Sequence, residues 1–336
     1  MKVDSGLIGG LEQAPASARR LEDMGYDGAI TAETSHDPFF PLLLAARETS
    51  EIDLITSIAV AFSRTPMNLA NIGHDMNSYA KGRFVLGLGS QIQAHITKRF
   101  SMPWSHPARR MREFILAMRA IWATWHEGKP LAFEGEFYTH KLMTPMFTPT
   151  DVGYGAPRIF LAAVGPRMTE VAGEVADGVI VHAFTTERYL REVTLPAVAA
   201  GLKKSGRDRD SFEVSYPGFV VTGQTEEAFA ASRAAVAKQI AFYGSTPAYA
   251  PVLGLHGWGD LQPELNRLSK QGKWDQMGTL ITDDILDAFA IVAEPDDVVP
   301  AFLARYGDFV DRTVMSVPAR DADHGRELIS QLRAQG

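Results

Sequence analysis

The side chains of this sequence that could perform acid–base chemistry or bind a ligand lie mainly where short apolar runs end. They comprise one carboxylate, three imidazoles and several small polar groups: Glu33, His36, Ser57, Ser90, Gln91, His95 and His182. A carboxylate or an imidazole in such a position can donate or accept a proton. Glycines beside these residues, such as Gly89 and Gly165, allow backbone N–H groups to approach a ligand closely.

The stretch from Lys81 to His95 illustrates the pattern. Phe84–Leu88 is almost wholly apolar and too short for a helix, so it predicts a parallel strand covered on both faces. The run ends in Gly89, Ser90 and Gln91, and ligands of parallel α/β proteins bind at the carboxyl ends of the strands. An ordinary tight turn is the alternative. The stretch is not a dinucleotide fingerprint, because the third glycine is missing.

Composition limits the classes of protein to consider. The 336 residues are 46% hydrophobic and 22% charged, which permits one large core or two modest domains. A net charge of −7 gives no sign of a nucleic-acid surface. The absence of cysteine excludes disulfides, thiolate metal sites and a cysteine nucleophile. The sequence shows neither a signal peptide nor a run of membrane-spanning length. We therefore expect a cytoplasmic protein that binds neither nucleic acid nor membranes.

Strand and helix patterns alternate along the chain. The predicted strands are Val3–Ile8, Ala29–Ala32, Ile52–Ala61, Phe84–Leu88, Arg158–Ala163, Val179–Ala183, Phe212–Val221 and Thr313–Val317. The clearest helix spans Met111–Trp125, whose apolar residues recur every three or four positions, and Asp284–Arg305 is also predicted to be helical. Eight alternating strands indicate the α/β class and a (β/α)8 TIM barrel. Since no flexible linker divides the chain, we expect a single domain over residues 1–336, with insertions near 130–157 and 244–277.

Two kinds of catalysis fit the sequence poorly. The first predicted strand does not end in the His-x-His of many hydrolytic metal barrels, and the histidines lack zinc-helix spacing, so we expect no metal ligands. A nucleophilic serine is disfavoured because there is no G-x-S-x-G elbow. What remains is a glycine-opened, partly apolar barrel mouth, which suits a flat cofactor.

Five segments in order carry a resemblance to a known family: HDPFFPLLLAA, TSIAV, GRFVLGLGSQ, LAAVGPRM and AGEVADGVIVHAF. Together they resemble the bacterial luciferase-like oxidoreductases, and within them the branch that uses the deazaflavin coenzyme F420. The resemblance covers residues 1–243 and the last strand, and it is weakest over 244–277.

The resemblance implies a barrel whose mouth holds the ring of the cofactor. It implies a non-proline cis peptide bond behind that ring, at Ser57-Ile58. It assigns further cofactor-binding residues: Gly89, Ser90, Gln91 and His95 after the fourth strand, Val164, Gly165 and Pro166 facing the phosphate-bearing chain of the cofactor, and His182. Val164 replaces a glycine of some relatives. The alternatives are a Ser57 hydroxyl that is satisfied inside the barrel and a His182 that only packs at the edge of the core.

The resemblance also suggests an acid–base pair. Relatives place an acidic residue directly before a histidine at the end of the second strand, whereas here Thr34 follows Glu33 and the histidine is His36. Either residue could transfer a proton during hydride transfer, or Glu33 could only orient its neighbours. Ile92 stands where sugar-phosphate dehydrogenases of the family have a second acidic residue, which argues against that substrate.

The leading hypothesis is an F420-dependent oxidoreductase that transfers hydride between the coenzyme and a small organic substrate. The alternatives are an FMN-dependent monooxygenase and a barrel that binds a cofactor without turnover. The segment 244–277, with Tyr249, His256 and Trp258, is expected to cover the mouth, although a packing or subunit-contact role is the alternative. Because relatives commonly pair through helices, we expect a homodimer.

Overall fold

The computed structural model describes residues 1–150, 152–315 and 317–334. Its parallel strands form a closed eight-stranded barrel and alternate with helices, so the predicted (β/α)8 fold is confirmed. Two predicted segments contain residues outside the described ones, namely Asp151 in the insertion near 130–157 and Ser316 in the strand Thr313–Val317. Among the described residues, no helix combines the length and apolar character needed to cross a membrane.

The strands are short, as expected for a barrel. They are β1 Lys2–Gly6, β2 Gly28–Thr31, β3 Asp53–Thr56, β4 Ala59–Val60, β5 Phe84–Gly89, β6 Phe133–Glu134, β7 Thr139–His140, β8 Arg158–Ala163, β9 Gly178–Val181, β10 Glu213–Tyr216, β11 Phe219–Val221, β12 Ala290–Val292 and β13 Arg312–Val314. β6 and β7 form an antiparallel hairpin within the segment 130–157.

The α-helices are α1 Ala14–Met24, α2 Phe39–Glu48, α3 Pro66–Tyr79, α4 Gln93–Lys98, α5 Pro107–Glu127, α6 Pro166–Val175, α7 Glu187–Tyr189, α8 Leu195–Ser205, α9 Glu226–Gly244, α10 Ala250–Leu255, α11 Leu261–Lys270, α12 Trp274–Gly278, α13 Asp283–Phe289, α14 Val298–Tyr306 and α15 Ala322–Arg333. A π-helical turn, Leu190–Thr194, joins α7 to α8. α5 follows the predicted pattern: its apolar residues are buried, and Gly128 ends it in the left-handed conformation.

The chain divides into two compact units. The first comprises Asp4–Ile180 and Ala197–Glu213, and the second comprises Met1–Val3, Val181–Pro196 and the chain from Val214 onward. Whether the chain is a single domain stays a prediction. In the first unit, β1, β2, β3, β5 and β8 pair in parallel in that order. In the second unit, β10 pairs with β13 and β11 pairs with β12.

Two predicted elements of the second unit are wrong. The predicted strand Phe212–Val221 is two strands, because Pro217 and Gly218 interrupt it and Pro217 has no N–H to donate to a sheet. The predicted helix Asp284–Arg305 is broken by β12, which pairs with β11. The irregular segment expected over 244–277 instead contains α10, α11 and α12, whose apolar residues pack with those of α9.

The predicted strand Ile52–Ala61 is also divided. β3 ends at Thr56, the peptide bond between Ser57 and Ile58 is cis as expected, and β4 follows. The interior of the first unit beside this break is an apolar floor, formed by Ile55, Val85, Phe160 and Ile180 with the partly buried Ile30, Ile58 and Ala162. Gly87 has no side chain because a Cβ there would lie 1.8 Å from the carbonyl oxygen of Thr56.

Candidate active site

Glu33, two residues after the end of β2, is bonded to the segment from Ile58 to Arg64, which contains β4. Its Oε2 accepts hydrogen bonds from the backbone N–H of Val60 at 2.7 Å and from Nη1 of Arg64 at 2.6 Å. Its own N–H donates to the carbonyl oxygen of Ile58 at 3.2 Å. The Glu33 side chain is only 7% exposed and that of Arg64 is 15% exposed. Glu33 therefore fixes the backbone at Ile58 and Val60, directly after the cis peptide bond.

Arg64 extends these contacts to the start of α2. Its Nη2 lies 3.1 Å from Oδ2 of Asp37, and Oδ1 of Asp37 accepts a hydrogen bond from the N–H of Phe39 at 2.8 Å. The guanidinium also lies 5.5 Å from the centre of the Phe39 ring, within cation–π range. One cation thus connects Glu33 with Asp37 and the start of α2.

His36 lies in the same loop but differs from Glu33 in its surroundings. It is exposed, whereas Glu33 is held by an ion pair. An exposed imidazole can exchange protons with a ligand or with water. Of the two predicted acid–base residues, His36 is the accessible one, and Glu33 has the geometry of a residue that orients its neighbours. The catalytic roles of both stay predictions.

The cis peptide bond and the end of β5 lie side by side. A Cβ on Gly89 would be 2.8 Å from Cγ1 and 2.9 Å from Cδ1 of Ile58, so only glycine allows this approach. The N–H of Ser57 donates to the carbonyl oxygen of Thr31 at 2.6 Å. The structure thus brings together three predicted site residues, Ser57, Ile58 and Gly89, at the edge of the apolar floor.

The loop after β5 is bonded largely within itself. The Ser90 hydroxyl donates to the carbonyl oxygen of Gln91 at 3.1 Å, and Oε1 of Gln91 accepts from the N–H of Ile92 at 3.0 Å. Gln91 has φ +59°, the left-handed conformation. His95 is exposed on α4, a helix that the sequence pattern did not reveal. Cofactor contacts by Ser90, Gln91 and His95 stay predictions.

The segment Val164–Pro166 forms an uncapped helix start. Gly165 precedes α6 without a side-chain cap, and a Cβ built on it would meet no described atom within 4 Å. Pro166 has no N–H, so the first-turn donors come from the two residues after it. The positive end of the helix dipole and such donors form a typical anion-binding site.

His182 belongs to the second unit and follows β9 directly. Its Nδ1 accepts a hydrogen bond from the N–H of Phe184 at 3.0 Å, and burial lowers its pKa to about 4. Its ring lies 4.7 Å from that of Tyr243 and 4.8 Å from that of Tyr249. Tyr249 was singled out in the sequence, but Tyr243 was not, because it lies near the end of α9 and no local sequence pattern distinguishes it.

Comparison with known proteins agrees with this fold. Residues 3–312 match the family described as luciferase-like monooxygenase. An uncharacterized protein of Mycobacterium tuberculosis is 57% identical over 94% of this chain and 92% of its own length. Another protein of that organism, provisionally named coenzyme F420-dependent oxidoreductase, is 27% identical over 91% of this chain and 90% of its own length.

A solved structure extends the comparison. The coenzyme F420-dependent tetrahydromethanopterin reductase of Methanopyrus kandleri superposes with a TM-score of 0.77 at 22% identity, covering 98% of this chain and 97% of that one. At this identity the likeness shows a shared fold. The family match over most of the chain shows more, and the chain belongs to the luciferase-like monooxygenase family.

Proposed function

We propose that this chain is a coenzyme F420-dependent oxidoreductase that transfers hydride between the deazaflavin and a small organic substrate. The observation that carries the proposal is the pairing, within the first unit, of an apolar floor with the uncapped start of α6. A flat ring and an anionic chain are the two parts of such a coenzyme. The F420-dependent enzymes named among the relatives support the choice of coenzyme.

The residues present fit a bound deazaflavin in two respects. The absence of a side chain on Gly89 lets Ile58 pack directly against the end of β5, and Ile58 thereby joins the apolar floor on which a planar ring would rest. The open space at Gly165 leaves room for a phosphate beside the first turn of α6. When bound, the coenzyme supplies the hydride chemistry, and the protein binds and orients it.

Proton transfer is assigned to His36, and Glu33 is proposed as a positioning residue. His36 is exposed in the loop after β2, and Glu33 holds the backbone at Ile58 and Val60, directly after the cis peptide bond. A His36→Asn variant should change the pH profile of turnover while leaving coenzyme affinity within about threefold. Unchanged turnover at every pH would remove His36 from the mechanism.

The second candidate is an FMN-dependent monooxygenase, which the description of the matched family favours. Oxygen separates the two: the deazaflavin reacts poorly with oxygen, whereas reduced FMN in such enzymes consumes it. The proposed enzyme should oxidise reduced F420 anaerobically with an organic acceptor. Oxygen uptake with reduced FMN and a hydroxylated product would establish the monooxygenase instead. A homodimer in the cytoplasm completes the proposal.

Two substitutions at Gly165 test where the anionic chain binds. Gly165 has φ −92° and ψ 158°, so asparagine and aspartate both fit the backbone and can cap α6. Aspartate places a negative charge at the proposed phosphate position, so Gly165→Asp should weaken F420 binding at least tenfold relative to Gly165→Asn. Equal affinities of the two variants would show that no phosphate binds there.

A further inference from the structure

The imidazole of His182 has one nitrogen committed to the protein backbone. The N–H of Phe184 donates to Nδ1 at 3.0 Å. An imidazole nitrogen that accepts a hydrogen bond carries no proton, so the proton of the neutral ring is on Nε2. If Nδ1 were protonated, its N–H would face the backbone N–H of Phe184, and the two donors would repel each other. The backbone thus holds His182 as a neutral ring that presents Nε2–H.

Aromatic rings surround this imidazole. Tyr243, near the end of α9, approaches it at 85°, and Tyr249 lies against it at 33°. Tyr249 in turn stacks on Phe184 at 5.6 Å. The Tyr243 hydroxyl accepts a hydrogen bond from Gln239 at 3.1 Å, which fixes that ring. The part of the chain that the structure describes supplies no hydrogen-bond partner for Nε2 of His182.

These contacts restrict the ligand that His182 can bind. A cation cannot accept a hydrogen bond from Nε2–H. An anion is disfavoured because the ring, with Nδ1 committed as an acceptor, cannot become an imidazolium without losing the Phe184 bond. A carbonyl oxygen or an uncharged ring nitrogen satisfies Nε2–H without burying a charge. The tyrosine rings favour a planar group, because aromatic surfaces stack with gains beyond area burial.

We propose that His182, Tyr243 and Tyr249 form a subsite for an uncharged planar group, which accepts one hydrogen bond from Nε2–H of His182. The evidence for the subsite is these contacts, and only the identity of the molecule that carries the planar group rests on the proposed function. That molecule is the substrate of the oxidoreductase. A sugar phosphate or a carboxylate substrate does not fit it.

The first test reads the proton position directly. Full-length protein with ring-¹⁵N-labelled histidine is examined by long-range ¹H–¹⁵N spectroscopy, and the His182 signals are assigned by their loss in His182→Gln. We expect an unprotonated Nδ1 and a protonated Nε2 at pH 7. A proton on Nδ1, or a charged ring at that pH, would overturn the proposal.

The second test uses three small probes of similar shape. Acetophenone is uncharged and offers a carbonyl, benzoate is an anion, and α-methylstyrene lacks the acceptor. Acetophenone should shift the Nε2–H signal, and benzoate and α-methylstyrene should bind at least tenfold more weakly than acetophenone. Equal binding of benzoate, or no shift with acetophenone, would contradict the proposal.

A matched pair of variants separates the donor from packing. His182→Gln retains an N–H donor near the Nε2 position, and His182→Leu has a comparable size without one. The glutamine variant should bind acetophenone with an affinity within about fivefold of that of the native chain, and the leucine variant should bind it at least tenfold more weakly. Thermal melting of both variants checks that they fold. If F420 fails to bind the native chain, the proposed function is wrong, and acetophenone still decides the subsite.

Discussion

The substitution Arg64→Met removes the cation that connects the loops after β2 and β3. Nη1 of Arg64 donates to Oε2 of Glu33 at 2.6 Å and to the carbonyl oxygen of Val60 at 3.1 Å, and Nη2 contacts Asp37 at 3.1 Å. Methionine keeps most of the apolar stem but provides no donor. Glu33 would keep its bond from the Val60 N–H and lose its counter-charge.

The burial of the pair sets the expected cost. Removing one partner of a buried ion pair destabilises by about 3–5 kcal/mol, because it leaves an uncompensated charge. With Arg64 15% and Glu33 7% exposed, some solvent reaches the pair, so the lower end of that range applies. The contact to Asp37, whose side chain is 33% exposed, adds less than about 1 kcal/mol. We therefore expect Arg64→Met to lower the free energy of unfolding by about 3 kcal/mol.

Urea unfolding at pH 7, followed by tryptophan fluorescence, measures this cost. The control is Arg47→Met, because Arg47 is 77% exposed and lies 3.9 Å from Glu48; we expect a change below about 0.5 kcal/mol. The double variant Glu33→Gln/Arg64→Met leaves no buried charge at position 33, and only the more exposed Asp37 loses its partner, so it should cost about 1–2 kcal/mol. If Arg64→Met is as mild as the control, or the double variant costs more than Arg64→Met alone, the positioning role of Glu33 is refuted.

Three further predictions concern other sites. Gly89→Ala should lower the free energy of unfolding by about 1–3 kcal/mol, because the added methyl would lie 2.8 Å from a side-chain carbon of Ile58. The control is Gly254→Ala on α10, where the added methyl enters open space and should not destabilise the protein. Urea unfolding compares the two variants. Thr186→Val should lower the free energy of unfolding by about 1–2 kcal/mol in the same assay, because the hydroxyl caps α7 and lies 2.8 Å from Nε2 of His256. A decrease below about 0.5 kcal/mol would contradict this prediction. The lowered pKa of His182, about 4, means that the unfolded chain binds the extra proton between pH 6.5 and 4. Stability should therefore fall by up to about 3 kcal/mol on acidification through that window, and His182→Gln should flatten the measured pH dependence.

Local patterns predicted most of the barrel. Phe84–Leu88 is a buried strand and Met111–Trp125 lies within α5, as predicted. These two elements were predictable because the strand is buried on both faces and the helix is buried along one face, and each kind of burial leaves a regular spacing of apolar residues. β12 was missed because its three residues look like the end of a helix, and only pairing with the distant β11 makes them a strand. Tertiary context here overrides local propensity.

The candidate site was predicted only in part, for a related reason. Glycines and polar residues at strand ends located Gly89 and Gly165 correctly at the ends of β5 and β8. The partners of Glu33 and His182 were not predictable, because Arg64 and Tyr243 are distant in sequence and carry no local signal. The cis bond at Ser57-Ile58 followed from family resemblance rather than from residue chemistry.

Cofactor preference decides the proposed function most directly. The purified full-length chain is titrated with coenzyme F420 and, separately, with FMN, and binding is followed by the fluorescence of each cofactor. We predict saturable binding of F420 at least tenfold tighter than that of FMN, a difference of about 1.4 kcal/mol or more. Tighter binding of FMN would contradict the F420 assignment and favour the monooxygenase, and binding of neither would contradict cofactor-dependent catalysis altogether.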